Sequence, residues 1–217
     1  MGYLDNLIIR IPGLLIALTV HEFSHALAAK LCGDDTAQRA GRLTLNPFSH
    51  LDALGTLMIL SGPFGWAKPV PVNPRQMRHP RIDDILVSLA GPASNIVCAV
   101  LIGVLYRSVF MHGGPLSDAD LYYARAIIET AIGINIGIAF FNLLPFPPLD
   151  GSHILAALVP RDLVVPYYRI MRHVPMVFVV LMSIEWLSGG RIPAISFILG
   201  PLYQPWAHFW QSLIFGA

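Results

Sequence analysis

Apolar runs of bilayer length dominate this chain and limit what it can fold into. Residues 6–31, 84–111 and 121–146 each continue for more than 20 positions with few charges, and 173–188 is a shorter run of the same kind. A helix that crosses the hydrocarbon core needs about 20 predominantly apolar residues. The stretch 192–216 is also long enough, although Pro193, Pro201 and Pro205 make it an irregular helix. Residues 51–66, LDALGTLMILSGPFGW, are apolar but short and contain a Ser-Gly-Pro break. They are expected to re-enter the membrane or to be partly buried rather than to cross, since irregular backbone at depth must be satisfied by protein or a wet cavity.

The expected fold is therefore an all-α polytopic membrane protein. It has about five transmembrane helices, plus a re-entrant or short β-containing segment between the first two. Of all residues 55% are hydrophobic and only 12% charged, about half the charged share of a soluble domain. No repeat or long linker divides the chain, so 1–217 reads as one membrane-embedded domain, with a core at about 6–160 and C-terminal helices at about 173–216. A net charge of +1 without a basic tail gives no electrostatic footprint for nucleic acid, which is not expected as a partner. Cys32 and Cys98 lie beside or within apolar runs and form no ligand-type pair. Arg10 interrupts the first run, which continues beyond the length of a signal core, so no cleaved signal is expected.

Basic residues set the expected orientation. Lys30, Arg39, Arg42, Lys68, Arg75, Arg78 and Arg81 lie between the first run and the one that begins near 84. The positive-inside rule puts them in the cytosol, provided 51–66 does not cross. The loop at 112–120, with Asp118 and Asp120, then falls outside, and the loop at 160–172, with Arg161, Arg169 and Arg172, inside.

Within the first apolar run stands HEFSH, residues 21–25. Ionisable groups in such a run are costly unless they are paired, metal-bound or wet. Residues four apart share a helix face, so His21 and His25 can reach one metal ion. Glu22 can then face a water at that metal and act as the general base of a zinc hydrolase. With eight histidines and three glutamates in the chain, a chance HExxH is expected about 0.004 times per sequence. The competing reading is a structural pair of histidines bonded to backbone or neighbouring helices.

One zinc ion per chain is the expected cofactor, and it needs a third protein ligand and an open position. Glu129 and Glu185 lie near the outer ends of their helices, whereas His21 and His25 lie in the cytosolic half of the first. Depth therefore selects Asp150, in FNLLPFPPLDGSH, where Pro145, Pro147 and Pro148 break helical hydrogen bonding and Gly151 permits close approach. A turn-forming Asp-Gly is the alternative there. Zn²⁺ with ionised Asp150 and Glu22 and two neutral imidazoles sums to zero charge, which a low-dielectric site tolerates best. Two stretches could hold a substrate extended: GRLTLNP at 41–47 alternates as a strand does, and KPVPVNP at 68–74 is Pro-rich. Alternatively both are mere connectors.

HEFSH, AGPASN at 90–95, FNLLPFPPLDG at 141–151 and GWAKPVPVNPRQMR at 65–78 together resemble the site-2 protease family of intramembrane zinc metalloproteases. The likeness covers about residues 15–155. It implies a core of three membrane helices with zinc between the first and third, bound by His21, His25 and Asp150, with Glu22 as base. It implies that Asn142 positions substrate or stabilises the oxyanion, and that Gly91, Pro92 and Asn95 shape the middle helix near the site; Asn95 is a second candidate for substrate or oxyanion contact. The third motif reads DGSH where many members read DGG, which leaves His153 to be an outer partner of the site, a gate residue or simply an interfacial histidine, the last being the expected reading. Members of the family cut peptide bonds within or next to transmembrane segments. The expected substrate is thus a membrane protein with a transmembrane helix, and the expected setting a multi-pass protein of the cell membrane with its active site toward the cytosol. A regulatory partner and a homo-oligomer are left open. The competing function is a metal transporter or sensor using the same His/Asp cluster, which needs no general base; a silent membrane-protein binder and a lipid-cleaving metallohydrolase are further alternatives.

Overall fold

The computed structural model describes residues 3–61, 65–110 and 118–216. Residues 62–64, in the break of the short apolar segment, and 111–117, most of the expected acidic loop, lie outside them. In chain order the helices are α1 (Tyr3–Leu31), α2 (Thr36–Arg39), α3 (Ala53–Ser61), α4 (Pro80–Phe110), α5 (Asp118–Asn142), α6 (Asp150–Leu158), α7 (Arg161–Met171), α8 (Val174–Leu187) and α9 (Ala194–Phe215). The all-α membrane architecture is as expected. Stretches at Asp5–Leu31, Pro80–Ser108, Leu121–Asn142 and Arg161–Leu187 are long and apolar enough to cross a bilayer. The fifth expected span corresponds to α9, whose 22 residues include Gln204, His208 and Gln211.

Small side chains explain why α1, α4 and α5 pack pairwise against one another. Between membrane helices the hydrophobic effect offers little, so close van der Waals approach decides. Ala17, Ala26 and Ala29 on α1, Ala99 on α4, and Ala131 and Ala139 on α5 are all buried. At Gly13 a Cβ would lie 2.7 Å from the Ala131 Cα. At Gly103 of α4 it would lie 2.2 Å from Ile214 Cγ2 of α9. Ile132 and Ile136 of α5 are fully buried and cluster with the buried Ala99, Ala207 and Ile214, and Trp206 Nε1 donates to Ile136 O at 3.1 Å. Large apolar side chains such as Leu101, Val104, Phe197 and Phe209 face outward, as a lipid-facing surface requires.

Of three further segments, one matches the sequence expectation and two depart from it. At nine residues α3 is about 14 Å long, less than half a bilayer core, which agrees with a non-crossing segment. GRLTLNP forms no strand: Asn46 N donates to Thr44 Oγ1 and Asn46 Oδ1 accepts from Phe48 N, and these local bonds compete with strand pairing. The described residues contain only an isolated antiparallel bridge, Leu51 with Ala67. Residues 161–171 are the helix α7 rather than a loop, with Leu163, Tyr167 and Ile170 at helical spacing along one side. Tyr167 Oη donates to Pro145 O at 2.8 Å and ties α7 to the turn before α6.

The Gly13 contact yields a direct check. Gly13→Val should destabilise the detergent-solubilised protein by about 1–3 kcal/mol, as overpacking does, seen as a lower unfolding temperature. Gly200→Ala, with no atom within 4 Å of its Cβ position, should be neutral. Equal behaviour of the two variants would contradict the close α1–α5 approach.

Candidate metal centre

His21 and His25 lie one turn apart on α1 and are 4% and 8% exposed. Asp150 enters from the first turn of α6. His21 Nε2 and His25 Nε2 are 3.0 Å apart, and Asp150 Oδ2 is 3.2 Å from the first and 3.3 Å from the second. A tetrahedron with Zn–N and Zn–O bonds of about 2.1 Å has edges of about 3.4 Å. The three ligand atoms thus form a triangle close to one face of that tetrahedron, with the fourth vertex left open.

The surrounding hydrogen bonds show what these atoms carry. His25 Nδ1 is 2.7 Å from Val87 O, which can only accept, so Nδ1 bears the proton. His21 Nδ1 is 2.7 Å from Asn95 Oδ1. Asn95 Nδ2 is committed as donor to Ala17 O at 3.0 Å and to Asn135 Oδ1 at 2.9 Å, so its oxygen faces His21. With both protons on Nδ1, both Nε2 atoms present lone pairs. Asp150 Oδ2 is buried without a hydrogen-bond partner. Three electron-rich atoms held this close, two of them lone-pair nitrogens, repel unless a cation lies among them. The residues fit zinc, and each histidine has the outer partner that metal-bound imidazoles usually have.

The middle helix holds the centre without ligating it. A Cβ at Gly91 of α4 would lie 2.5 Å from His25 Nε2 and 2.7 Å from His21 Nε2, so only glycine leaves that face clear. Pro92 follows inside the helix and has no N–H for the Ser88 carbonyl; Val87 O, beside that gap, takes the His25 proton. On the other side Glu22, 9% exposed, accepts at Oε2 from Val70 N at 2.9 Å. Val70 belongs to the extended stretch 68–73. Asp34, fully buried, fastens its far end by accepting from Asn73 N at 2.6 Å, and Lys68 N donates to His50 O at 2.8 Å at the near end.

The sequence profile of Peptidase family M50 matches residues 108–182, which include Asp150 but not HEFSH. A protein of Bacillus subtilis (strain 168) named "Putative zinc metalloprotease YwhC" is 39% identical over 200 residues, 88% of this chain and 91% of that protein. The chain belongs to peptidase family M50. Another relative, Rip2 of Mycolicibacterium smegmatis, similarly named, is 33% identical over 156 residues, 70% of this chain and 57% of Rip2. No solved structure matches the chain. As an M50 peptidase the chain is an intramembrane zinc metalloprotease embedded in the lipid bilayer.

The other residues that the sequence singles out are placed as follows. Asn95 is fully buried, and both its N–H bonds are committed, so it has no donor for a substrate. Asn142 ends α5, with its amide N–H bonded back to Ile138 O at 3.1 Å. Glu129 pairs with Arg125 and Tyr106, and Glu185 caps α9 at Ile195 N and Ser196 N. α6 rests on α4: Arg81 donates to Ala157 O and Val159 O at its C-terminal end, and His153 Nδ1 is 3.5 Å from Asp84 Oδ2. Gly151 lets this helix start close to α5, since a Cβ there would lie 2.3 Å from Leu143 O. Asn135, fully buried beside Asn95, belongs to none of the motifs; its sequence signal is a lone amide inside the apolar stretch AIGINIGIAF.

Gly91→Ala should fold but hold zinc at least about tenfold more weakly, a loss on the scale of removing an outer partner, read by chelator competition; wild-type affinity would contradict the placement of α4. His153 gives a pH dependence. Asp84 lifts its pKa above the ordinary value, with burial opposing and the Asp150 charge adding. The stabilisation is complete below about pH 6.5, the unfolded value, and fades as pH rises through the raised folded value. The unfolding temperature of zinc-free wild type should therefore exceed that of His153→Gln at pH 6 and converge with it at pH 9. The effect is small, below about 1 kcal/mol, because the side chain is half exposed.

Proposed function

We propose that His21, His25 and Asp150 hold the zinc of this M50 peptidase and that Glu22 is its general base. The observation that carries this is the triangle of ligand atoms 3.0–3.3 Å apart, with Glu22 next to His21 on α1. Zinc, when bound, supplies Lewis acidity, lowering the pKa of water and polarising a carbonyl. Glu22 Oε2 is held by Val70 N, which leaves Oε1 to take a proton from the attacking water and return it to the leaving amine. Asn142 stabilises the oxyanion or positions the substrate.

The substrate in this reading is a transmembrane segment of another membrane protein, unwound locally so that a carbonyl is free. It lies extended along 68–74, adding as a strand. Pro69 and Pro71 bar helix formation there, and with the Val70 N–H committed to Glu22 the stretch would receive the substrate strand chiefly through its carbonyl acceptors. The site faces the cytosolic side of the cell membrane. Supporting this are the basic residues Arg39, Arg42, Lys68, Arg75 and Arg78 on the α1–α4 connection, together with an α3 too short to carry them across. All of 1–217 acts as one protease domain. A metal transporter would need no general base, and family membership goes against it.

Glu22→Gln is the test. It should retain stoichiometric zinc while cleavage of a membrane-anchored substrate in proteoliposomes falls by at least about 100-fold, the scale of general base catalysis. Cleavage at the wild-type rate would remove Glu22 from the chemistry.

A further inference from the structure

Two amides lie side by side in the apolar centre of the bundle, where polar groups are costly unless each is satisfied. Asn95 on α4 and Asn135 on α5 are both 0% exposed, and Ile132 and Ile136, also fully buried, flank Asn135 in its helix. Asn135 Nδ2 donates to Ala131 O at 2.9 Å, one turn back. Because that carbonyl can only accept, the Asn135 oxygen must turn toward Asn95, where it accepts from Nδ2 at 2.9 Å. The other Asn95 N–H goes to Ala17 O on α1. The Asn95 oxygen is thereby left facing His21 Nδ1 at 2.7 Å.

Each step fixes the direction of the next. An acceptor-only carbonyl on α5 orients Asn135, Asn135 helps orient Asn95, and Asn95 keeps the His21 proton on Nδ1. The His21 lone pair then stays on Nε2, aimed at His25 and Asp150. The three hydrogen bonds connect α5, α4 and α1 at one level and end on a single ring nitrogen.

We propose that Asn135 is a positioning residue of the metal centre, which acts through Asn95 to fix the tautomer and aim of His21. The proposal rests on the reading of His21 as a zinc ligand. Asn135 touches neither metal nor substrate. Its effect is on how firmly His21 is presented, so it governs metal retention before it governs turnover. A merely structural amide would support the bundle equally with zinc present or absent, and that difference makes the two roles separable.

The experiment uses the full chain, purified in detergent, with Zn²⁺ affinity read by chelator competition and the visible spectrum of the Co²⁺-substituted protein as a second readout. Variants are Asn135→Leu, Asn135→Asp, Asn95→Leu and the double Asn95→Leu/Asn135→Leu, with His21→Gln as control. Asn135→Leu should weaken Zn²⁺ binding by about 10–100-fold, the usual loss for an outer partner of a ligand, and shift the Co²⁺ bands. Asn135→Asp, as the neutral acid whose O–H replaces the donor to Ala131 O and whose carbonyl oxygen still accepts from Asn95, should stay within about tenfold of wild type and keep the bands. In the Asn95→Leu background the Asn135 substitution should cost little more, because the path is already cut. Wild-type affinity and bands in Asn135→Leu would overturn the proposal, as would an equal loss on the Asn95→Leu background. Should Asn135→Leu not fold, Asn135→Ala takes its place in the same comparisons. Stoichiometric zinc in His21→Gln would instead overturn the ligand reading itself, so the two failures are distinct.

Discussion

Two imidazole lone pairs and one carboxylate oxygen converge within 3.3 Å of one another, with both rings buried and the carboxylate largely so. Left alone they repel, and each would be stabilised by turning away. They are held because their other sides are committed: one ring to Asn95, the other to Val87 O, and the carboxylate to the first turn of a helix fastened to α4. The bundle thus stores the cost of gathering like-natured atoms and recovers it when a divalent cation enters. Every other feature of the molecule is arranged around that convergence.

The work is divided among the helices. α1 carries both histidines and the glutamate, and α6 brings the carboxylate. α4 contributes no ligand, yet it supplies the carbonyl for His25, the amide for His21, the glycine face that leaves room, and the platform for α6. α5 closes the set by pressing small residues against α1 and by placing Asn135 beside Asn95. An intramembrane peptidase needs this rigidity because its ligands come from elements distant in sequence. Beside the centre, the stretch 68–73 runs past α1 as a strap secured at Asp34 and His50, with the Val70 N–H on the glutamate.

Much of this could be read from the residues. Helical periodicity puts His21 and His25 on one face, and an HExxH inside an apolar run has few uses other than metal. Asp150 followed from depth, since Glu129 and Glu185 lie too far toward the other end; both have local partners instead, Arg125 and the α9 N-terminus. The length of 51–66 limited it to a short helix. What escaped was decided by contacts between helices, which no linear pattern encodes. Asn95 read as a substrate contact because it stood in a motif, but a neighbour on α5 takes the donor it would need. Asn135 stood in no motif. The alternation in 41–47 suggested a strand, but Thr44 and Asn46 turned the backbone onto their own side chains.

X-ray absorption at the zinc edge of the purified, uninhibited protein tests the central claim most directly. The account predicts one zinc per chain with about four nitrogen and oxygen neighbours near 2.0–2.1 Å, outer-shell scattering from two imidazoles, and no sulfur. Folded protein without stoichiometric metal, a sulfur neighbour near 2.3 Å, or a spectrum lacking imidazole scattering would contradict it.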